Sequence, residues 1–387
     1  MRTRDDRIDL LRGIAILLVI VLHAVMLTPE ALRLGPVFQF LARFSVGMQL
    51  FFIISGYLVT QSWERVSQLP HARIVFALKR AAKIYPLYLV FIGINIGLWL
   101  FLASNLQNAA PLRNFVTQAN LNLPNVGAHL VFLQGFIPQF IHSLLDGSWS
   151  IANEVYFYIL LPGILFPLAK DIRSAVWLYL ATLAFSMFCA VYWPVITSWA
   201  PLNFMRSGSE GFGYYFFPNQ LPCFVMGILL RHLLSLPGIE NICRGYRHAL
   251  WVGPLLIAFG MTNGNLWPLG YHHLYSMLLL AVMLSAFGWP AVKRNWLALW
   301  VTRIGRQSYA LFFIHLILIK FFMAYWSIQG WSTESVWMIF SANLVIGLVG
   351  SLLLSELCFD RIDRWCVRSM NRHTNRLQDK IPQPVTA

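Results

Sequence analysis

The chain has 387 residues, of which 58% are hydrophobic and only 11% carry a charge, and its mean hydropathy is +0.62. Soluble domains are about 25% charged, so this composition excludes a soluble globular protein and predicts an all-α, polytopic membrane protein. The formal charge of +14 would suit a nucleic-acid-binding protein, but its distribution along the chain indicates membrane topology and no nucleic-acid partner.

Ten apolar stretches are predicted to cross the membrane, and the seventh of them is the shortest. They are 10–28, 44–62, 84–103, 150–168, 174–196, 219–235, 249–262, 272–289, 308–327 and 334–358. With a cytoplasmic N-terminus, the cytoplasmic segments hold every lysine and arginine except Arg33, Arg43, Arg113, Arg206 and Lys320. This bias is the positive-inside pattern, so we expect both termini to be cytoplasmic.

The predicted spans divide the chain into a membrane domain, 1–358, and a basic cytoplasmic tail, 359–387, which we expect to rest on anionic lipid headgroups. One long segment between spans, 104–149, is predicted to lie outside the cytoplasm. It exceeds an ordinary connection, so it is a candidate lid or acceptor-binding loop. Its portion 129–141 is apolar enough to form an interfacial helix.

The first predicted span, "DLLRGIAILLVIVLHAVM" (9–26), carries Arg12 at its start and His23 within it. Eleven residues of α-helix rotate by close to three full turns and rise by about 16 Å, so the two side chains share one face. A long ligand would fit along this helix with its charged end at Arg12 and its reactive end at His23. His23 would then act as a general base, and the alternative is a histidine that bonds to a neighbouring helix in packing.

Two cations, Arg80 and Lys83, stand three residues apart where the third span begins. Like charges at this spacing repel mildly, so an anionic phosphate between them would be stabilising. Anchoring of the span by the positive-inside rule explains the two residues equally well.

The fourth span opens with "GSWSIANEVYFYILLP", in which Ser150 and Glu154 are one helical turn apart. Glu154 is predicted to orient a histidine, accept a proton or bind an acceptor hydroxyl. The alternative is a plain helix start, with a serine cap and Glu154 favourably placed in the first turn.

The ninth span begins near Ser308 and contains His315, which either faces the same cavity as His23 or has a packing role. Lys320 in the same span is expected to snorkel to the interface or to pair, and it receives no catalytic role. The five cysteines lack metal-ligand spacing, and the chain has no HExxH, GxSxG or glycine-rich phosphate motif. We therefore expect no bound metal and no permanently bound cofactor.

Six blocks, in this order, resemble the acyltransferase-3 family of integral membrane acyltransferases. They are "IDLLRGIAILLVIVLHA", "VGMQLFFIISGYLVT", "RAAKIYPLY", "GSWSIANEVYFYILLP", "LPCFVMGILL" and "GRQSYALFFIH", and the resemblance covers residues 7–358. The family's Arg-x10-His motif falls on Arg12 and His23, with Asp9 just before it. Lys83 departs from the family by replacing the second arginine of an RxxR motif, which loses the bidentate geometry for phosphate, and Gln49 stands where many members have an acidic residue.

The resemblance implies transfer of an acyl group, usually acetyl, from cytoplasmic acyl-CoA to a carbohydrate hydroxyl at the outer face of a bacterial inner membrane. The acceptor would be an O-antigen, an exopolysaccharide or a similar carbohydrate, free or lipid-linked, and membrane lipids are the other partners. Acyl-CoA would be the co-substrate, with its phosphates on Arg12, Arg80 and Lys83. His23 would be the base or the first acyl acceptor, while Glu154 and His315 would orient it or relay the proton. The further candidate site residues are Asp9, Ser150 and Ser308.

Two alternatives from other classes stay open. A transporter or flippase for a lipid-linked saccharide would use buried charges as a translocation path, although the sequence shows no inverted repeat. A non-catalytic partner in an envelope-synthesis complex would keep full activity when His23 is replaced. Dependence on acyl-CoA separates the enzyme from both alternatives.

Overall fold

The computed structural model describes residues 5–28, 35–105, 121–198, 212–250, 252, 270–289, 295–328 and 336–359, with scattered residues up to 372. These residues form α-helices with short 3-10 and π turns, and no β-strand occurs among them. The helices are α1 (Asp6–Met26), α2 (Pro36–Ala42), α3 (Val46–Val66), α4 (Ala72–Asn105), α5 (Leu123–Leu130), α6 (Ser148–Leu168), α7 (Ile172–Ile196), α8 (Phe217–Leu233), α9 (Ile239–Gly245), α10 (Gly270–Gly288), α11 (Trp296–Arg306), α12 (Ser308–Ile328) and α13 (Val336–Phe359).

Seven helical stretches among the described residues are long and apolar enough to cross a membrane, which confirms an all-α, multi-pass membrane protein. They are Asp6–Met26, Pro36–Val66, Ala72–Leu98, Ser148–Leu168, Ile172–Trp193, Ser308–Trp326 and Val336–Phe359. The predicted spans 219–235 and 272–289 coincide with the shorter helices α8 and α10. The predicted span 249–262 falls almost wholly outside the described residues, as does most of the tail 359–387. The count of ten spans and the cytoplasmic position of both termini therefore stay predictions.

Helix α1 lies at the centre of the bundle and packs against α3, α11 and α12. Its start is fixed by Asp5, whose carboxylate accepts the backbone N–H of Arg7 at 3.0 Å. Asp6 and Asp9 follow in the first turn, where negative charge interacts favourably with the helix dipole. Because both ends of α1 are surrounded by neighbouring helices, Arg12 and His23 both face protein.

A close crossing of α3 and α8 forms the rigid part of the core. Any Cβ atom on Gly56 would collide with the carbonyl oxygen of Phe224, and one on Gly227 would collide with that of Ile53. The ring of Phe52 stacks on Phe224 beside this crossing, with 4.6 Å between ring centroids. The small residues of "FFIISGYLVT" therefore let these two helices approach closely.

The segment between α4 and α6 folds against the bundle where the structure describes it, from residue 121 onwards. Phe132 is only 1% exposed, and its ring packs on Tyr85 and Tyr88 with centroid distances of 5.2 and 4.9 Å. The hydroxyl of Tyr156 in α6 donates a hydrogen bond to the Phe132 carbonyl. Leu123, by contrast, is 84% exposed, as expected for a segment that meets the membrane interface.

Candidate functional site

An open cavity of about 940 Å³ lies at the Arg12 end of α1, and we call it the vestibule. Helices α1, α3, α8, α9 and α11 supply most of its wall. It is lined by seven cationic side chains and four carboxylates, namely Arg7, Arg12, Arg65, Lys83, Arg231, Arg303 and Arg306 against Asp5, Asp9, Glu64 and Glu240. A cavity with this excess of positive charge concentrates anions.

The carboxylates of the vestibule hold several of its arginines in place. Arg306 of α11 bonds to Asp6 at 2.9 Å and to Asp9 at 3.4 Å, and Asp9 is only 2% exposed. Arg231 of α8 pairs with Glu64 of α3 at 3.0 Å. The candidate residue Asp9 thus connects α1 to α11 at the vestibule wall.

A second, smaller cavity of about 120 Å³ continues from the vestibule into the bundle, and we call it the chamber. Arg12 and Lys83 line both cavities, so they stand at the passage between them. Lys83 also lies 5.5 Å above the ring of Tyr309, a favourable cation–π distance. The chamber has room for several water molecules. Arg12 is the residue through which α1, the helix that carries His23, contributes to the wall of the chamber.

Three predicted site residues, Ser150, Glu154 and Ser308, lie in the wall of the chamber. Glu154 accepts a hydrogen bond from the hydroxyl of Tyr158 at 2.6 Å, one turn further along α6. The hydroxyl of Ser150 donates to the Gly147 carbonyl at 2.8 Å, as a helix start requires. Ser308 differs from both, because its buried hydroxyl has no hydrogen-bond partner among the described residues.

Arg80 lies apart from Arg12 and Lys83, with which it was predicted to hold phosphates. Its guanidinium donates to the hydroxyl of Ser62 at 3.0 Å and lies 5.8 Å above the ring of Tyr158. It lines a separate cavity of about 330 Å³ between α4 and α6. Since Tyr158 bonds to Glu154, Arg80 acts on the chamber through that tyrosine and not from within the vestibule.

The two predicted histidines meet at the other end of α1. His23 Nδ1 lies 2.9 Å from His315 Nε2, and His315 Nδ1 lies 2.7 Å from the Leu311 carbonyl oxygen. A carbonyl can only accept, so in the neutral pair His315 carries its proton on Nδ1 and accepts a bond from His23 Nδ1–H. His23 Nε2 is then left as an unprotonated acceptor. His315 is fully buried while His23 is partly exposed, so His23 is the ring that a reactant can reach.

One aromatic ring stands between the chamber and the histidine pair. Phe312 lines the chamber, and its centroid lies 6.2 Å from that of His315. Gly147 begins α6 with a left-handed φ of 78°, and a Cβ atom there would lie 2.8 Å from the Phe312 ring. The ring of Phe312, on α12, therefore packs against the backbone at the start of α6. Glu154, on the chamber side of this ring, bonds to Tyr158 and not to either histidine.

The structure adds an ion pair that the sequence analysis missed. Lys320, predicted to snorkel or to pair, bonds to the carboxylate of Asp146 directly before Gly147. A second ion pair joins Glu356 to Arg303 at 2.7 Å at the vestibule end. The one signal in the sequence for Asp146 was its position next to the block that opens α6. No three His, Cys, Asp or Glu side chains of the described residues converge in a way that would hold a metal ion.

Comparison with known proteins gives matches that extend over nearly the whole chain, including the site. The acyltransferase-3 family model, an acyltransferase domain, matches residues 5–356. A Komagataeibacter xylinus protein named "Putative membrane-bound transacylase BcsY" is 24% identical over 384 residues, which cover 96% of this chain and 86% of that protein. No solved structure gives a significant match. The matched residues include both cavities and the histidine pair.

Proposed function

Because the chain belongs to the acyltransferase-3 family and is a membrane-bound acyltransferase, we propose that it uses acyl-CoA to acylate a carbohydrate hydroxyl. The acyl group is most simply acetyl. The donor enters at the Arg12 end, from the cytoplasm, and the acceptor is bound at the His23 end, on the outer side of a bacterial inner membrane. The observation that carries this proposal is the arrangement of charged vestibule, chamber and histidine pair along one helix.

The vestibule suits the polyanionic head of coenzyme A. Its cations outnumber its carboxylates, and arginines offer forked donor groups that match phosphate oxygens. Arg12 and Lys83, at the passage, are placed to bind the phosphates closest to the pantetheine arm. Arg80 is assigned a different role, which is to fix Tyr158 and through it Glu154.

The chamber gives the thin pantetheine arm its way towards His23. Arg12 and His23 are eleven residues apart on α1, a rise of about 16 Å, so the arm runs alongside this helix. The unpartnered hydroxyl of Ser308 is available to an amide of the arm. Phe312 must turn aside before the thioester can reach the histidine pair.

The tautomer of the histidine pair supports general-base catalysis. His23 Nε2 takes the proton of the acceptor hydroxyl while that oxygen attacks the thioester carbonyl carbon. The carbon–sulfur bond then breaks, and the CoA thiolate takes the proton back from His23 to leave as the thiol. His315 touches no reactant in this scheme, and it positions His23 by accepting its Nδ1–H.

The first test is release of CoA from acetyl-CoA by the purified protein in liposomes. We expect His23→Ala to abolish turnover, and Arg12→Ala to raise the KM for acetyl-CoA about tenfold, as loss of one charge-assisted hydrogen bond predicts. Arg173→Ala and His248→Ala, which change exposed residues outside both cavities, are the matched controls. If the wild type turns over neither acetyl-CoA nor a longer acyl-CoA, the donor assignment is wrong and a saccharide transporter becomes the better hypothesis.

A further inference from the structure

The outer side of the histidine pair is built from residues that the donor reaction does not use. Gly147, at the corner before α6, packs against Phe312 and Leu316 of α12, which lie three residues before and one residue after His315. Lys320 continues this stripe, one further turn along α12, and bonds to Asp146 at the same corner. The corner and its ion pair therefore lie directly beside the histidines.

The ion pair is open to a ligand although it belongs to a membrane-spanning helix. The side chains of Lys320 and Asp146 are 20% and 27% exposed. Lys320 lies five residues after His315 on α12, and His315 bonds to His23, so the ion pair lies near the reactive nitrogen. An ammonium has three N–H donors and a carboxylate has several lone pairs, so one bond between them uses only part of the capacity of each group.

Aromatic rings form the rim next to this pair. His142 is exposed, and its ring meets that of Tyr215 edge-on, with 4.4 Å between centroids. Tyr215 is partly exposed and rests on Trp149, 4.9 Å away. His142 and Trp149, the two rings that Tyr215 contacts, lie four residues before and three residues after Asp146, so the rim and the ion pair are adjacent. Apolar ring faces beside convergent donors and acceptors are typical of small-molecule sites.

We propose that Asp146, Lys320, His142 and Tyr215 form the acceptor site, and that they bind a neutral, polyhydroxylated ring such as an uncharged sugar. This inference rests on the proposed function and names the acceptor's binding residues. The carboxylate accepts bonds from two neighbouring hydroxyls, the ammonium donates to a third, and the C–H face of the ring packs on Tyr215. Because Asp146 neutralises Lys320, the site has no net charge to attract an anionic sugar.

The competing explanation is that the ion pair only fastens the Asp146–Gly147 corner to α12. The charge-swapped double variant Asp146→Lys/Lys320→Asp separates the two roles, because it restores an ion pair but reverses the donor and acceptor groups. Tyr215→Leu tests the rim without touching the ion pair. Asp171→Asn and Tyr246→Leu make the same chemical changes at exposed positions outside the site and serve as controls.

The experiment measures acetyl transfer from acetyl-CoA to methyl β-glucoside and methyl β-galactoside, with the anionic methyl β-glucuronide as the charge comparison. We expect saturable transfer to a neutral glycoside in the wild type. The half-saturating glycoside concentration should rise at least tenfold in Asp146→Asn, in the swapped variant and in Tyr215→Leu, while the KM for acetyl-CoA changes less than twofold. Thermal unfolding of each purified variant shows that it is folded.

Three results would overturn the inference. The first is a swapped variant with wild-type glycoside saturation, which would make the ion pair purely structural. The second is a glucuronide preferred over both neutral glycosides. The third is a wild type that releases CoA from acetyl-CoA but transfers acetyl to no glycoside, an outcome that leaves the donor assignment intact. Failure to use acetyl-CoA at all would instead contradict the proposed function.

Discussion

At the Arg12 end of α1, seven cations face an open cavity of about 940 Å³, whereas at the His23 end two imidazole rings bond to each other against packed aromatic side chains. The first region has charge and volume but no residue arranged as a base. The second has a base with a defined tautomer but little space. In the proposed function, recognition of a large anion and removal of a proton are thus separated by the length of one helix. Because of this separation, the imidazole can stay neutral in an apolar environment while the phosphates bind in a cationic one.

The largest effect should come from the histidine pair, where the two rings can be told apart. His23→Gln is expected to lower kcat by about 10²–10⁴-fold, because it removes the base itself. His315→Gln should lower kcat less, because its amide still offers His23 an acceptor. Neither change should alter the KM for acetyl-CoA more than twofold. Equal losses in both variants, or a KM effect that dominates, would contradict the assignment of His23 as the base and His315 as the positioning residue.

The next effect tests how far the phosphate-binding region extends from the vestibule towards the chamber. Lys83→Ala is expected to raise the KM for acetyl-CoA about tenfold, since it removes a cation at the passage between vestibule and chamber. Arg80→Ala should act mainly on kcat, since it releases Tyr158 beside Glu154. Steady-state kinetics of the two variants give the comparison directly. If Arg80→Ala raises the KM as strongly as Lys83→Ala, the phosphates reach the cavity between α4 and α6.

The smallest effect concerns the segment that covers the His23 end. His129 is fully buried, and this burial lowers its pKa from 6.5 to about 4. Below pH 6.5, His129 is protonated in the unfolded chain but stays neutral in the folded chain. The free energy of unfolding therefore decreases as the pH falls from 6.5 towards 4. The loss is about 1.4 kcal/mol per pH unit.

Thermal unfolding in detergent between pH 7 and pH 4 measures this loss for the wild type and for His129→Gln. The wild type should lose stability more steeply, and the difference between the two slopes isolates His129. His248→Gln removes an exposed histidine and is the matched control. Parallel curves for the wild type and His129→Gln would mean that this segment opens to water and does not cover the bundle.

Local periodicity accounts for what could be predicted from the sequence. The shared face of Arg12 and His23 depends only on the geometry of one helix, and the apolar stretches mark most helices of the fold. The bond between His23 and His315 joins residues 292 positions apart, and that of Lys320 with Asp146 spans 174. Such contacts depend on how helices pack, which no local pattern encodes.

The neighbouring cations Arg80 and Lys83 show that local periodicity fails to predict contacts even within one helix. They are three residues apart on α4, which made a shared ligand plausible. In the structure their head groups line different cavities, Lys83 the chamber and Arg80 the cavity between α4 and α6. A sequence pattern gives the spacing of such a pair, but the surrounding helices decide what each member meets.

The glycine crossing of α3 and α8 has a consequence for how the protein admits a thioester. Where Gly56 and Gly227 meet, the two backbones are in direct contact, so α3 is a closely packed wall of the chamber. The chamber is narrow, and its opposite wall is formed by α6 and α12, which meet at the Phe312 ring. In the proposed function, we therefore expect opening for the thioester to come from α6 and α12 and not from α3. An alanine at either glycine would push α3 away from α8 and so shift one wall of the chamber. A substitution at this crossing, far from His23, would therefore misalign the site.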